Sequence, residues 1–153
     1  MEGLDRILRE HKFFAGLSEE FVTLVTGCAK NVRFESGQYL FREGGPADQF
    51  FLMREGRVAL EVTAPGRSAI TFLTVGDSEV VGVSWLIPPY RWSYDGRAIG
   101  LVRAISIDGA CLRKKCEADH HLGYEMMKRV VPILVQRLHA TRLQALDVYG
   151  VHA

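Results

Sequence analysis

The central half of the chain is broken by glycines into short runs of strand-forming residues. β-Branched and aromatic side chains dominate seven such runs, at residues 32–34, 39–41, 50–53, 58–62, 70–75, 92–94 and 101–107. Several of these runs alternate apolar and polar side chains, as a strand with one buried face does. Runs this short and evenly spaced favour an antiparallel sandwich or roll over a parallel sheet, whose strands need helical crossovers.

Helical patterns flank this region on both sides. Apolar side chains at Leu4, Ile7 and Leu8 recur every three to four residues, which predicts a short amphipathic helix. Ser18, followed by two glutamates, is a good N-cap for a second helix that ends near Gly27. We therefore expect one domain over residues 1–153, with helices in 1–30, a β-roll in 31–107 and helices in 108–150.

The C-terminal segment predicts a helix that pairs with a second copy of itself. After Asp108, which can cap a helix, the pattern is helical through residues 111–116 and again over 121–149. Apolar or small residues then alternate steps of four and three, at Met127, Val131, Leu134, Leu138, Thr141, Ala145 and Val148. This heptad seam predicts a homodimer. Pro132 within it should kink the helix.

Composition narrows the class of protein. The chain has 153 residues, of which 48% are hydrophobic and 24% charged, and a formal net charge of +1. These values fit one globular core and show no overall bias toward nucleic acid or a membrane surface. The charged N-terminus is unlike a secretory signal and no apolar run is long enough to span a membrane, so we expect a cytoplasmic protein. Three cysteines, an odd number, argue against a disulfide framework.

Two glycine-containing motifs resemble a known family. Residues 34–44 read FESGQYLFREG and residues 47–58 read ADQFFLMREGRV, with Gly37, Gly44 and Gly56 placed for turns that need positive φ. Together with the flanking helices, this layout resembles the cyclic nucleotide-binding domain, as in catabolite activator and related regulators, over about residues 4–145. The resemblance implies an antiparallel β-roll, or jelly roll, with flanking N-terminal helices and a long dimerisation helix.

The resemblance also implies a ligand site in residues 82–94, which we call the cassette. In the family, backbone amides of a short helix face the cyclic phosphate, a glutamate binds the ribose hydroxyl and an arginine binds the phosphate. Here Val83 stands where the glutamate is expected, Trp92 where the arginine is expected, and Arg91 lies one residue earlier. The candidate ligand-binding residues are Gly82, Val83, Ser84, Trp85, Arg91, Trp92, Ser93 and Arg97.

The two replacements predict an altered ligand. Losing both charged groups should weaken cyclic nucleotide binding by about 3 to 5 kcal/mol, which would turn a micromolar site into a millimolar one. The remaining amides, hydroxyls and aromatic rings could hold a smaller anion or a planar ligand. Two alternatives stay open: Arg91 reaches the pocket and binding of cyclic AMP or cyclic GMP survives, or the aromatic side chains fill the pocket and leave a ligand-free scaffold. For Arg97 we expect a structural ion pair.

Other functions lack positive support in the sequence. Cys111 and Cys116 with the two following histidines fit no common zinc spacing, so we expect no metal site and no cofactor beyond a possible small anionic ligand. No catalytic motif is present, so we expect that the protein has no enzymatic activity. The chain ends at Ala153, where the family's transcription factors continue into a helix-turn-helix, so sequence-specific DNA binding is not expected; the partner should be another protein. The remaining basic residues are assigned to solvated helix faces, namely Arg113, Lys114, Lys115, Lys128, Arg129, Arg137, His139 and Arg142.

Overall fold

Six strands and four α-helices make up the part of the chain that the structure, a computed structural model, describes: the backbone of residues 2–148 and the side chains of residues 3–143. The helices are α1 (Glu2–Glu10), α2 (Glu19–Thr26), α3 (Gly109–Ala118) and α4 (His120–Val148). The strands are β1 (Ala29–Phe34), β2 (Tyr39–Phe41), β3 (Gln49–Val62), β4 (Ile70–Val75), β5 (Val80–Val81) and β6 (Asp95–Asp108). Two 3₁₀ turns, Lys12–Phe14 and Ser84–Leu86, complete the set.

Two long antiparallel strands form the spine of the sheet. β3 and β6 have 14 residues each and pair from Gln49 opposite Asp108 to Glu61 opposite Asp95. The main order is β1-β6-β3-β4, with β2 added to β6 and β5 added to β3. All these pairings are antiparallel, which confirms the predicted antiparallel roll.

The strand predictions were right in place but not always in extent. The runs at 50–53 and 58–62 belong to one strand, β3, because the register shifts around Glu55 without ending the ladder. Gly56 has the predicted positive φ (+106°), but it lies in this bulged part of β3 rather than in a turn. A Cβ there would overlap the Leu101 carbonyl oxygen, so the close approach of β6 also requires glycine.

The prediction of a strand at residues 92–94 was wrong. The Trp92 amide donates to the Gly45 carbonyl (3.0 Å), and the Trp92 carbonyl accepts from the Gly44 amide (2.8 Å). This backbone is therefore bonded to the loop before β3, and the ladder of β6 begins only at Asp95. Local propensity was overridden by a tertiary contact.

The helix caps agree with the sequence. The Ser18 hydroxyl accepts from the Phe21 amide (3.3 Å), and the Asp108 carboxylate accepts from the Cys111 amide (2.9 Å). Pro132 lies inside the helix α4, which continues on both sides of it. Within residues 2–148 there is no helix with the length and hydropathy that crossing a membrane requires.

The buried side chains form two separate clusters. The first, which we call the helix-side core, joins the α-helices to one face of the sheet and includes Phe14, Phe50 and Leu122. The second, which we call the roll core, lies inside the roll and includes Phe41, Phe51 and Leu60. Two cores exist because alternate residues of β3, such as Phe50 and Phe51, point to opposite faces of the sheet.

The expectation of no disulfide was wrong. The sulfur atoms of Cys28, between α2 and β1, and Cys111, on α3, are bonded, with a Cα–Cα distance of 5.8 Å across 83 residues of sequence. Counting cysteines could not show that β1 and the start of α3 converge on the same edge of the sheet. Cys116 is a free thiol, and burial raises its pKa to about 11.

Candidate ligand-binding site

The cassette is a loop that begins at a glycine with positive φ and is held along one side. Gly82 follows β5 with φ of +91°, and the chain then makes the 3₁₀ turn Ser84–Leu86 and a cis peptide bond between Pro88 and Pro89. Beyond it, the Tyr90 carbonyl accepts from the Ala47 amide (2.7 Å). The end of the cassette is thus fixed to the loop that precedes β3.

Trp85 lies outside any open pocket. Its side chain is fully buried in the helix-side core, where the indole stacks on Phe50 with ring centroids 4.7 Å apart and planes 12° apart. The indole Nε1 has no hydrogen-bond partner among the described residues. This tryptophan, a candidate ligand contact in the sequence, is part of the packing that holds the start of the cassette.

Trp92 is buried in the other cluster, the roll core. Its ring stacks on Phe41 with centroids 3.8 Å apart and planes 14° apart. The same ring covers Gly82, where an added Cβ would lie 2.6 Å from the indole carbon Cη2. The ring therefore occupies the space beside Gly82, and the position that the resemblance assigns to an arginine is filled by packing.

An open cavity nevertheless remains between the cassette, the roll and α4. Its volume is about 530 Å³. Fourteen residues line it: Val62, Phe72, Val83, Ser84, Ile87, Pro88, Pro89, Arg91, Ser93, Tyr94, Leu134, Arg137, Leu138 and Thr141. We call it the cassette cavity. Four of the eight candidate ligand-binding residues line it, while Gly82, Trp85, Trp92 and Arg97 lie elsewhere.

The cassette cavity has basic but no acidic residues in its wall. The Arg91 side chain is exposed, and its Nη1 donates to the Gly44 carbonyl (3.0 Å). Arg137 reaches in from α4, and its Nη2 donates to the Val80 carbonyl. Tyr94 lines the same cavity, and its pKa is raised by burial and lowered in part by the neighbouring Arg137 cation.

The sequence missed Arg137, which it placed on the solvated face of the helix. A signal existed: Leu134, Leu138 and Thr141 were singled out as a seam, and Arg137 lies on the same side of α4 as these residues. Arg137 also lines a second cavity of about 440 Å³ between the Lys12–Phe14 turn, β4 and α4. It therefore stands between the two cavities.

Arg97 is structural, as the sequence predicted. Its guanidinium donates twice to the buried Glu61 carboxylate, at 3.0 and 2.8 Å. This pairing lowers the pKa of Glu61 below its usual value. The prediction of an ion pair is confirmed with Glu61 as the partner, while the neighbouring Asp95 is paired with Arg42 (3.4 Å).

Arg113 is another residue wrongly assigned to a solvated face. Its Nη1 donates to the Trp85 carbonyl (2.5 Å), and its Nη2 lies 3.3 Å from the Asp48 carboxylate. Its guanidinium carbon lies 4.2 Å from the centre of the Tyr90 ring, a cation–π distance. Arg113 thereby ties α3 to both halves of the cassette.

Some residues of the predicted seam on α4 are exposed to solvent, whereas others pack against their own chain. Met127, Val131 and Leu138 are 46%, 45% and 56% exposed, as an interface with another molecule requires. Leu134 instead packs against the helix-side core of its own chain and lines the cassette cavity. The exposed apolar stripe consists of Tyr124, Met127, Val131, Val135 and Leu138. The side chains of Ala145 and Val148, also predicted for the seam, lie outside the described residues.

A metal-binding cluster was not expected, and the side chains described here contain no group of three or more histidine, cysteine or acidic residues that could hold a metal ion. Cys111 and Cys116, which the sequence analysis considered together, are in different states. Cys111 is bonded to Cys28, whereas Cys116 is a free thiol.

Three features together define the cyclic nucleotide-binding type of domain. They are an antiparallel roll, helices that precede and follow it in the sequence, and a cavity between a short loop and the last helix. The chain belongs to this family, because its residues 31–119 match the sequence profile of the cyclic nucleotide-binding domain. This confirms the resemblance that the glycine motifs carried.

Named relatives agree with the family. The chain is similar to a CRP-like cAMP-activated global transcriptional regulator of Mycobacterium tuberculosis, with 26% identity over 145 residues, 95% of this chain and 63% of that protein. The match therefore spans less than two thirds of the regulator's length.

Solved structures are similar as well. A Geobacter metallireducens GS-15 protein assigned to the cyclic nucleotide-binding proteins has 32% identity and a TM-score of 0.80, over 91% of this chain and 100% of that one. The N-terminal domain of a Streptomyces coelicolor A3(2) transcriptional regulator has 25% identity and a TM-score of 0.67, over 88% and 94% of the two chains.

Proposed function

We propose that this chain is a ligand-sensing regulatory domain of the cyclic nucleotide-binding type, with an altered ligand preference, that signals through α4. The observation that carries the proposal is the cassette cavity, because its wall combines the cassette with the last helix. A ligand in this cavity would contact Ser84 or Ser93 on one side and Leu138 or Thr141 on the other. The role is regulatory, without a catalytic step.

The altered preference rests on the chemistry of the wall. A ribose hydroxyl is best bound by a carboxylate, but none of the residues that line the cassette cavity is acidic, and Val83 stands at the position of the family's glutamate. Trp92 stands at the expected arginine and is stacked in the roll core. These two changes support a ligand other than cyclic AMP, the ligand that the mycobacterial relative's name gives.

The signal would pass through the position of α4. Ligand contacts on Leu134, Leu138 and Thr141 would favour one placement of the helix relative to the cassette, and a ligand shifts an equilibrium only by binding the two placements differently. The exposed apolar stripe lies on the same helix, so the placement of α4 would alter its pairing with a second copy. The homodimer would then transmit the change to a partner protein.

Calorimetric titration with cyclic AMP, cyclic GMP and a panel of small anions tests the ligand part. We expect cyclic AMP to bind in the millimolar range and at least one other anion to bind in the micromolar range, with a matching rise in Tm. The double variant Ser93→Trp/Thr141→Trp fills the cassette cavity from both sides and should abolish binding. Ser68→Trp, in the exposed loop between β3 and β4, is the matched control.

Two other results would replace the proposal. Micromolar binding of cyclic AMP that disappears in Arg91→Ala and survives in Arg67→Ala, an exposed control, would make this a true cyclic nucleotide-binding protein. No response to any candidate would favour a ligand-free scaffold, in which Trp85 and Trp92 serve only as core.

Sedimentation tests the dimer part. The double variant Met127→Asp/Val131→Asp places charges on the exposed stripe and should give monomers, whereas Gln136→Asp, on the same helix but off the stripe, should leave the mass unchanged. An unchanged mass in the double variant would exclude pairing through this stripe.

Cytoplasmic location remains part of the proposal, supported by the likeness to a transcriptional regulator, which works inside the cell. The Cys28–Cys111 bond is a useful counter-test, since disulfides are rare in the cytosol. Fractionation of the cells should recover the protein in the cytoplasmic fraction, and recovery outside that fraction would exclude this location. Thiol alkylation immediately after lysis shows whether Cys28 and Cys111 are bonded to each other in the recovered protein.

A further inference from the structure

Arg137 lacks the counter-charge that other partly buried arginines have. Arg97 is paired with Glu61, and the two groups are 2.8 Å apart. Arg129 is paired with Glu125 at 2.9 Å. Among the described residues, Arg137 has no carboxylate within ion-pair distance, and its Nη1 is buried without a hydrogen-bond partner. A cation removed from water without a counter-charge is unfavourable, so an anion that reaches it gains both a charge partner and a hydrogen-bond donor.

The cavity that Arg137 lines is mostly apolar. Nine of its fourteen lining residues are aliphatic, aromatic or proline side chains, three more offer only a hydroxyl, and the other two are arginines. Ile87 on the cassette, and Leu134 and Leu138 on α4, give it apolar surface on opposite sides. The body of a ligand here would be held by burial of apolar surface, and its orientation by the few polar groups.

We propose that the cassette cavity takes an amphipathic organic anion, with its acid group at Arg137 and its apolar body between the cassette and α4, an inference that rests on the proposed function. Arg137 is then the residue that determines specificity. Arg91 is not in this position, because its side chain is exposed to water, whereas the Nη1 of Arg137 is buried without a partner among the described residues. The charge would thus be recognised from the helix rather than from the cassette.

Such a site favours an organic acid over a sugar phosphate. A sugar would bury several hydroxyls against Val83, Ile87 and the two prolines, and buried hydroxyls without partners are unfavourable. An aromatic or aliphatic body has no such groups to satisfy. The acid group alone then needs polar contacts, and Arg137, whose buried Nη1 has no partner among the described residues, supplies them.

Two fluorescent probes of the same shape isolate the charge. 8-Anilinonaphthalene-1-sulfonate carries a sulfonate on an apolar aromatic body, and N-phenyl-1-naphthylamine is that body without the sulfonate. We expect the protein to bind the sulfonate probe about tenfold or more tightly than the neutral probe, because a charge-assisted hydrogen bond favours only the former. Arg137→Gln should remove this preference and leave binding of the neutral probe unchanged.

Three further variants locate the effect. Arg137→Lys keeps the charge and should retain part of the preference, which shows that lost affinity in Arg137→Gln does not come from a disturbed fold. Arg91→Gln should retain the full preference. Ser93→Trp/Thr141→Trp should prevent both probes from binding, because these two residues line the cassette cavity and not the second cavity.

The outcomes separate this inference from the proposed function. Equal affinity for the two probes, or a preference that survives Arg137→Gln, overturns the assignment of the charge while the cavity remains a ligand site. Probe binding that the double tryptophan variant leaves intact places the probes elsewhere and overturns the inference. Failure of both probes to bind the wild-type protein overturns the cavity as a site and the inference with it.

Discussion

The two ends of the cassette are buried in the cores of the protein, whereas its middle is open to solvent. Trp85 anchors one end in the helix-side core, and Trp92 anchors the other in the roll core. Between them, Ile87 is 40% exposed and lines the cassette cavity together with the two prolines. The comparison teaches that the two tryptophans of this loop belong to the structure, whereas its aliphatic middle lines the cavity. The middle thus connects two segments that are fixed in different cores.

The largest expected effect is the loss of an anchor. Trp85→Ala should lower the free energy of unfolding by about 3 to 5 kcal/mol, because a fully buried indole stacked on Phe50 would leave a cavity. Ile87→Ala, in the open middle, should cost less than about 1 kcal/mol. Urea unfolding measures both. Similar losses at the two positions would contradict the division between anchored ends and open middle.

The next effect tests the contact between the two ends of the cassette. Gly82→Ala should cost about 2 to 4 kcal/mol, since its Cβ would meet the Trp92 ring at 2.6 Å and its φ is +91°. Gly100→Ala has a similar φ of +71° and open space around it, so it should cost only about 1 to 2 kcal/mol. If both variants unfold at the same urea concentration, backbone strain alone explains Gly82 and the packing against Trp92 contributes nothing.

These positions also show how far the sequence could go. The roll, the caps at Ser18 and Asp108 and the positive φ of Gly56 could be predicted, because periodicity, capping and backbone freedom are local properties. The cassette could be located by its resemblance to a family. Its division into anchors and an open middle could not, because two tryptophans in one loop give no sign of which core each will enter.

The rest depends on contacts that are distant in sequence. Arg137 is bonded to the carbonyl of Val80, 57 residues away, and Arg113 to that of Trp85, 28 residues away. On a helical wheel such arginines cannot be told from solvated ones, since a long basic side chain can reach either water or a backbone carbonyl. The disulfide was missed for the same reason.

A smaller effect concerns Arg113, which connects the two halves of the cassette to α3. Arg113→Met keeps the apolar stem but removes the hydrogen bonds to the Trp85 carbonyl and Asp48, which should cost about 1 to 3 kcal/mol. Hydrogen exchange of cassette amides should become faster, while the exposed control Lys114→Met should change neither measurement. Unaltered exchange in Arg113→Met would mean that the anchors alone hold the loop.

The smallest effect is a pH dependence at His11, the residue that precedes the Lys12–Phe14 turn. His11 is buried, its Nδ1 accepts from the Phe13 amide (3.2 Å), and its Nε2 lies 3.2 Å from the Met53 carbonyl. Burial lowers its pKa in the folded state, against a smaller opposing effect of the Met53 carbonyl. The unfolded state therefore binds the proton first, so this contribution to stability is complete above about pH 6.5 and decreases as the pH falls below that value.

Between pH 7.5 and 5.5 the loss from His11 should be at most about 1.4 kcal/mol. His11→Asn preserves an acceptor for the Phe13 amide and removes the titrating ring, so its unfolding free energy should fall less steeply over this range. Urea unfolding at several pH values compares the two slopes. Parallel slopes would show that His11 does not titrate on unfolding, and that the helix-side core, like the anchored ends of the cassette, responds to packing alone.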